Sequence, residues 1–121
     1  MAAPNLLNLT TATGKTVGLV VTTTPTAIVS NGASSGKCLK INTLVVANVT
    51  TTAVTVTVDV YKNATTAYEL ANAISVPANA SIVIIGKTET QIYLEENDSI
   101  RLTAGSGTTL LEAVCSYEEL S

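Results

Sequence analysis

The sequence contains no histidine, tryptophan or phenylalanine, and its four tyrosines are its only aromatic residues. Without an imidazole the chain lacks the commonest general base and the commonest metal ligand, which excludes most acid–base and zinc enzyme designs. No apolar run is longer than four residues, whereas a membrane-spanning helix needs about 20. The first residues also lack the basic segment and apolar stretch of a secretory signal. We therefore expect no membrane partner and no secretory signal.

Charge is also scarce: charged residues are 12% of the chain, the net charge is -3 and the pI is near 4.7. Phosphate binding needs clustered Lys and Arg, and the six basic residues here are scattered, so we expect no nucleic-acid partner. So few charges fit a surface that is partly covered by protein contacts. A solvated sheet face rich in threonine explains the composition equally well, and both explanations stay open.

Only two cysteines are present, Cys38 and Cys115, which are 77 positions apart. In a reducing cytosol such residues are usually small, buried, apolar thiols, and this is our expectation. A disulfide bridge between two packed strands is the alternative. With no histidine to activate them, we expect neither to act as a catalytic nucleophile.

Thr, Val and Ile together make up 43 of the 121 residues. Their branched side chains restrict rotation about the first side-chain bond, which disfavours helices and suits the pleated surface of a strand. The clearest pattern runs from Val54 to Tyr61, where four valines alternate with polar residues and predict a buried valine face. No stretch repeats apolar residues at helical spacing, so we expect no substantial helix.

Strand signals recur along the chain, separated by turns. The predicted strands are 17–22, 25–30, 37–49, 54–61, 68–76, 81–85, 91–95, 99–104 and 110–118. This pattern predicts an all-β fold, an antiparallel β-sandwich of eight or nine short strands that is jelly-roll-like. Residues 1–14 are expected to form an extended N-terminal arm, and residues 15–121 a single sandwich domain. In the strand at 37–49, the residues expected to share one face are Leu39, Ile41, Val45, Ala47 and Val49.

Candidate chemical motifs are weak. The segments 14–16 and 32–37 imitate a phosphate-binding loop, but their glycine spacing is wrong and no helix follows, so we interpret both as turns. The carboxylates of Glu95, Glu96 and Asp98 lack the spacing of a calcium loop. We interpret them as a solvated turn in which Asp98 binds backbone amides, with a loosely bound cation as the alternative. We expect no catalytic residue, no cofactor and no metal.

Three segments carry a resemblance to a known family: 74–81 (ISVPANAS), 92–104 (IYLEENDSIRLTA) and 111–119 (LEAVCSYEE). They resemble small β-rich virion proteins of tailed bacteriophages, particularly those of marine and cyanobacterial phages. The likeness covers about residues 15 to 119. Family members often place Gly where this chain has Asn97, and Asn tolerates the left-handed backbone that such a turn needs.

The resemblance implies a structural role in the virion, with assembly in the host cytoplasm. Decoration (cement) proteins of about this size commonly sit as trimers on the lattice of the major capsid protein and grip it with a terminal arm. Leu6, Leu7 and Leu9 suit such a grip, and a frayed terminus is the alternative reading of the same residues.

Two functions other than capsid decoration stay open. One is a component of the neck, tail, baseplate or fibre attachment, which copy number per particle separates from decoration. The other is a glycan-binding module, since sugar sites favour aromatic platforms. Its candidate residues are Tyr61, Tyr68, Tyr93 and Tyr117.

Overall fold

The structure is a computed structural model that describes residues 4–86, 92–107 and 110–121. A single 3-10 turn at Leu6–Asn8 precedes nine strands, and the described residues contain no α-helix. The strands are β1 (Ala12–Val21), β2 (Thr26–Ser30), β3 (Cys38–Asn48), β4 (Val54–Lys62), β5 (Thr66–Val76), β6 (Ser81–Ile85), β7 (Ile92–Leu94), β8 (Ser99–Ala104) and β9 (Leu111–Leu120). The predicted all-β fold is confirmed. Gln91, predicted to start the seventh strand, and residues 1–3 of the predicted arm lie outside the described residues.

The strands form two antiparallel sheets. In sheet A the order is β1-β9-β3-β6, with β7 pairing beside β6 on the same edge of β3. In sheet B the order is β2-β8-β4-β5. Each sheet alternates early and late strands, so the chain crosses repeatedly between the sheets. This is the strand order of a jelly roll, which confirms the predicted class of sandwich.

The core lies between the two sheets. Val54, Val56 and Val58 of β4 are buried and Val60 is half-buried against them, so the predicted valine face is confirmed. From sheet A, β9 contributes the fully buried Leu111, among others. Burying each such side chain stabilises the fold by about 1.5–3 kcal/mol before the entropy cost is subtracted.

Both cysteines are buried and free, as expected from the sequence. Cys115 belongs to the core cluster, and burial raises the pKa of its thiol to about 11. Burial also raises the pKa of Cys38. Both side chains therefore remain protonated thiols near neutral pH.

The prediction for the buried face of β3 is wrong in its second half. Leu39 and Ile41 are buried as expected, but the pairing of β3 with β9 shifts between Ile41 and Thr43. The extra residue of this bulge reverses which side chains point inward. As a result the buried residues that follow are Leu44, Val46 and Asn48. Val45 and Ala47 face outward instead, and Val49 is exposed.

The predicted arm is also too long. β1 begins at Ala12 and pairs with β9 without interruption, so residues 12–14 belong to the sandwich. The pairing of β1 with β9 continues beyond Ala12, because the carbonyl of Ser121 accepts hydrogen bonds from the amides of Thr10 and Thr11. Residues 14–16, predicted as a turn, therefore lie within a strand, whereas residues 32–37 do form a loop. The start of β1 was not predicted because its small polar side chains show no alternation of apolar and polar residues.

The turn between β4 and β5 has an unusual residue. The amide of Thr65 donates to the carbonyl of Lys62 at 2.9 Å. The two central residues, Asn63 and Ala64, both have φ of 52°. Positive φ at both central residues is typical of a type I′ turn, whose second position normally carries Gly because a Cβ atom is unfavourable there.

Replacing Ala64 with Gly should therefore stabilise the protein. We expect a gain of about 0.5–1 kcal/mol in the free energy of unfolding, because relief of the left-handed backbone exceeds the added entropy of the unfolded chain. Ala67→Gly, in the adjacent strand β5, is the matched control and should destabilise. Urea unfolding of both variants tests this, and equal destabilisation by both would contradict the proposed strain at Ala64.

Candidate interaction surfaces

Asp98 organises one end of the sandwich. Its carboxylate is buried and accepts hydrogen bonds from the backbone amides of Asn63 at 2.9 Å and Glu95 at 3.0 Å. The ammonium of Lys62 donates to the same group at 2.5 Å and lies 3.4 Å from the exposed Glu95 carboxylate. The interpretation of Asp98 as a ligand of backbone amides is confirmed. These contacts fasten the β4–β5 turn to the β7–β8 turn.

The charge of Asp98 is stabilised by its partners. Burial is the largest influence and opposes ionisation, but the hydrogen bonds from Lys62, Asn63 and Glu95 together outweigh it. The pKa of Asp98 therefore lies below its ordinary value. In return, the hydrogen bond to Asp98 raises the pKa of Lys62. Both groups stay charged at neutral pH and act as a structural pair.

The loop at 32–37 is fastened to the same end. The side-chain amide of Asn31 is buried and donates to the carbonyls of Lys37 at 2.8 Å and Leu94 at 3.0 Å. The amide of Gly36 donates to the carboxylate of Glu96 at 2.7 Å. The amide that a phosphate-binding loop would direct at an anion thus meets a carboxylate of the protein itself. Within residues 4–86, 92–107 and 110–121, no group of three or more acidic or cysteine side chains could hold a metal ion.

Asn48 closes the opposite end in a similar way. Its side-chain amide donates to the carbonyls of Thr52 at 2.8 Å and Val76 at 2.9 Å. Its side-chain oxygen accepts from the amide of Thr50 at 2.9 Å. Sequence reasoning missed both buried asparagines, since a single Asn between a strand and a loop looks like any other turn residue.

The outer face of sheet B is polar and internally paired. The guanidinium of Arg101 contacts the carboxylate of Asp59 at 2.9 and 3.3 Å. It also lies 3.9 Å above the centre of the Tyr61 ring, in a cation–π contact. Asp59 is consequently buried although it faces outward. The charges of Arg101 and Asp59 are thus paired with each other. At the edge of this sheet, β5 carries the exposed apolar side chains of Leu70 and Ile74.

The outer face of sheet A differs, because one row across four strands consists of Gly18, Val114, Val45 and Val83. Val114 is 50% exposed, Val83 63%, and Val20 in the next row 44%. A shallow depression of about 310 Å³ lies between β1 and β9 beside Gly18. We call Gly18, Val20, Val45, Val83 and Val114 together the outer valine face. A row of apolar side chains on the solvent side of a sheet is a candidate contact surface, here bordered by Glu112, which pairs with Val20.

The sequence carries a signal for the outer valine face. Residues 44–47 and 82–85 are continuous apolar runs. In an antiparallel sandwich, strands solvated on one side alternate, so a continuous run implies that both faces are apolar.

The three leucines of the arm lie together but outside the core. Leu7 is 91% exposed, Leu6 is 48% exposed, and Leu9 is half-buried. The 3-10 turn is held by local hydrogen bonds, from the Leu7 amide to the side chain of Asn5 at 2.9 Å and from the Asn8 amide to the Asn5 carbonyl at 3.0 Å. The 3-10 turn itself contains no buried residue. The arm therefore presents apolar side chains to the surroundings.

The four tyrosines do not form one platform. Tyr61 lies beneath Arg101 on sheet B, and Tyr117 packs against the core. Tyr93 is in β7 of sheet A, and Tyr68 is exposed on β5, an edge strand of sheet B. These positions give no observation that favours a glycan site.

Comparison with known proteins does not identify a family for this chain. No family model matches the chain, and a search of curated proteins found none similar in sequence. Across the described part of the chain, no helix is long and apolar enough to cross a membrane.

Replacing Asp98 with Asn should destabilise the protein by about 1–3 kcal/mol at pH 7, since two amides and Lys62 lose their charged acceptor. Because the native pKa of Asp98 is depressed, its contribution is present above about pH 4 and is lost as the pH falls through the native value. Asp98→Asn should therefore flatten the acid side of the stability profile.

Glu95→Gln is the matched control, because the Glu95 side chain is exposed and pairs only at the rim of the same cluster. We expect it to change stability by less than about 0.5 kcal/mol. Chemical unfolding of the wild type and both variants between pH 2 and pH 7 measures this. If the free energy of unfolding of Asp98→Asn depends on pH as that of the wild type does, Asp98 is not the cause of the loss of stability in acid.

Proposed function

We propose that this protein is a structural component of a bacteriophage virion, and specifically a capsid decoration protein that binds its own copies and the major capsid protein. The observation that supports it best is the outer valine face, an apolar surface where a free sandwich normally presents polar groups. The exposed leucines of the arm add a second apolar contact. The resemblance of segments 74–81, 92–104 and 111–119 to phage virion proteins supplies the virion location.

The available apolar surface suits a weak contact that is repeated many times. Full burial of a Val or Leu side chain contributes about 1.5–3 kcal/mol. The half-exposed valines offer part of this each, and Leu7 offers nearly all of it. One copy thus gains only several kcal/mol, before the cost of association. Linking copies in an oligomer multiplies such contacts without creating new ones, which is how a lattice-bound protein becomes firmly attached.

A component of the neck, tail, baseplate or fibre attachment is the alternative within the same class. Quantitative mass spectrometry of purified particles distinguishes the two. A decoration protein is expected at hundreds of copies per particle, whereas a tail component is expected at a few to dozens. Absence of the protein from purified particles would contradict both.

The arm is proposed to contact the shell. Combined replacement of Leu6 and Leu7 by Ser should weaken binding to shells that lack the protein by at least tenfold, because burial of these two side chains is lost. The unfolding midpoint should not change, because no residue of the 3-10 turn is buried. Co-sedimentation with shells measures the binding.

Val49→Ser is the matched control, since Val49 is also half-exposed but lies in the loop after β3, away from the arm. It should bind as the wild type does. Equal binding by the arm variant and the wild type would contradict the proposed role of Leu6 and Leu7.

A further inference from the structure

The edges of the two sheets are not equally protected against pairing with another strand. β2 has five residues and a register shift between Ala27 and Val29. β5 is longer but has two register shifts along β4. β6 and β7, which share the edge beside β3, have only five and three residues. Short strands and bulges are the devices by which proteins prevent edge-to-edge association.

β1 has none of these devices. Its ten residues pair with β9 in one continuous register, from Ala12 opposite Leu120 to Val21 opposite Leu111. Its one charged residue, Lys15, is tied to Glu119 of its own chain at 2.8 Å. Among the described residues, no strand other than β9 pairs with β1. It is a long, regular and open edge.

The direction of the free hydrogen-bonding groups follows from the register. Thr11 and Ser121 exchange both of their backbone hydrogen bonds, at 2.9 and 3.0 Å. In an antiparallel pair such residues alternate with residues that point away, so odd-numbered residues of β1 face β9. Consistently, the carbonyl of Thr22 accepts from Ala104 in sheet B. The residues whose amides and carbonyls face the open edge are Ala12, Gly14, Thr16, Gly18 and Val20, and all five are exposed.

We propose that β1 pairs antiparallel with β1 of a second copy of this chain, about a two-fold axis at Thr16. Pairing between two different edges would require a second open edge, and the others are short or bulged. A contact that uses the same edge twice is isologous and has two-fold symmetry. Centring it on Thr16 places even-numbered residues opposite one another and uses the free groups of all five.

The side chains are compatible with this register. Gly14 lies opposite Gly18 of the second copy, and Ala12 opposite Val20, so the outer side of the seam is uncrowded. Lys15 lies opposite Val17, so no like charges meet directly across the pair. Across the seam, the row of Gly18 and Val114 continues into the row of Gly14 and Glu118 of the second copy. The two outer valine faces therefore lie on the same side of the joined sheet, about 14 Å apart along the strands. Self-association thereby presents two separate outer valine faces on one side of the dimer.

The two-fold pairing gives a dimer, whereas the resemblance implies a trimer. It rests on the proposed function in so far as that function requires contacts between copies, but it is measured without the virion. If the protein is a dimer but does not bind particles, the proposed function is contradicted and the pairing is not. A protein that binds particles as a monomer, or as a trimer that does not depend on β1, contradicts the pairing alone.

The first test is the molar mass of the purified full chain by light scattering over a range of concentrations. The wild type and Thr16→Val should be dimers. Thr16→Pro should be a monomer, because proline removes the central edge amide while leaving the β1–β9 bonds intact. Thr16→Lys, which keeps the amide but places two charges at the axis, should also be a monomer. A monomeric wild type, or variants that remain as associated as the wild type, would overturn the pairing.

The second test is a cross-link at the axis. Directly opposed residues of a hydrogen-bonded antiparallel pair have Cα atoms about 5.5 Å apart, within the range of a disulfide. Thr16→Cys should therefore form a covalent dimer on mild oxidation. Val20→Cys is the control, since the two copies of that residue would be about 27 Å apart along the strands. The native thiols are buried. Equal cross-linking of both variants, or none of Thr16→Cys, would contradict the register.

Discussion

The pairing of β9 with strands on both sides is the constraint on which the rest of the structure depends. β9 lies between β1 and β3 and pairs with each over nearly its whole length, without interruption along β1 and with one bulge along β3. That register turns Leu111, Ala113 and Cys115 into the core and Val114 outward. It also sets which backbone groups of β1 are left free at the edge. Because side chains alternate, a slip of one residue would exchange the core face with the contact face.

Much of the fold could be predicted because its determinants are local. The alternation of β4, the apolar run of β6 and the turn chemistry near Asp98 each reflect a few neighbouring residues. The left-handed backbone expected at Asn97 is present, with φ of 69°. The burial of both cysteines followed from their small apolar character and from the absence of residues that would activate them. These features do not require knowledge of which strands are neighbours.

The remaining features depend on contacts between distant segments. The bulge after Ile41 arises from how β3 pairs with β9, and the sequence of β3 alone gives no sign of it. The start of β1 at Ala12 is determined by its partner strand, since its own residues are small and polar. The outer valine face and the open edge are properties of four assembled strands. The apolar runs at 44–47 and 82–85 indicate strands that are apolar on both faces, but the row of valines and the open edge follow only from the sheet order.

We propose that this sandwich acts through surfaces that bind other protein chains, starting with its own β1 edge. Amide hydrogen exchange, resolved by residue in the native protein, tests it most directly. The account predicts that the amides of Gly14, Thr16 and Gly18 exchange slowly at high protein concentration and rapidly on dilution, while Val17 stays protected at both. Rapid exchange at the three positions at every concentration, with Val17 still protected, would contradict it.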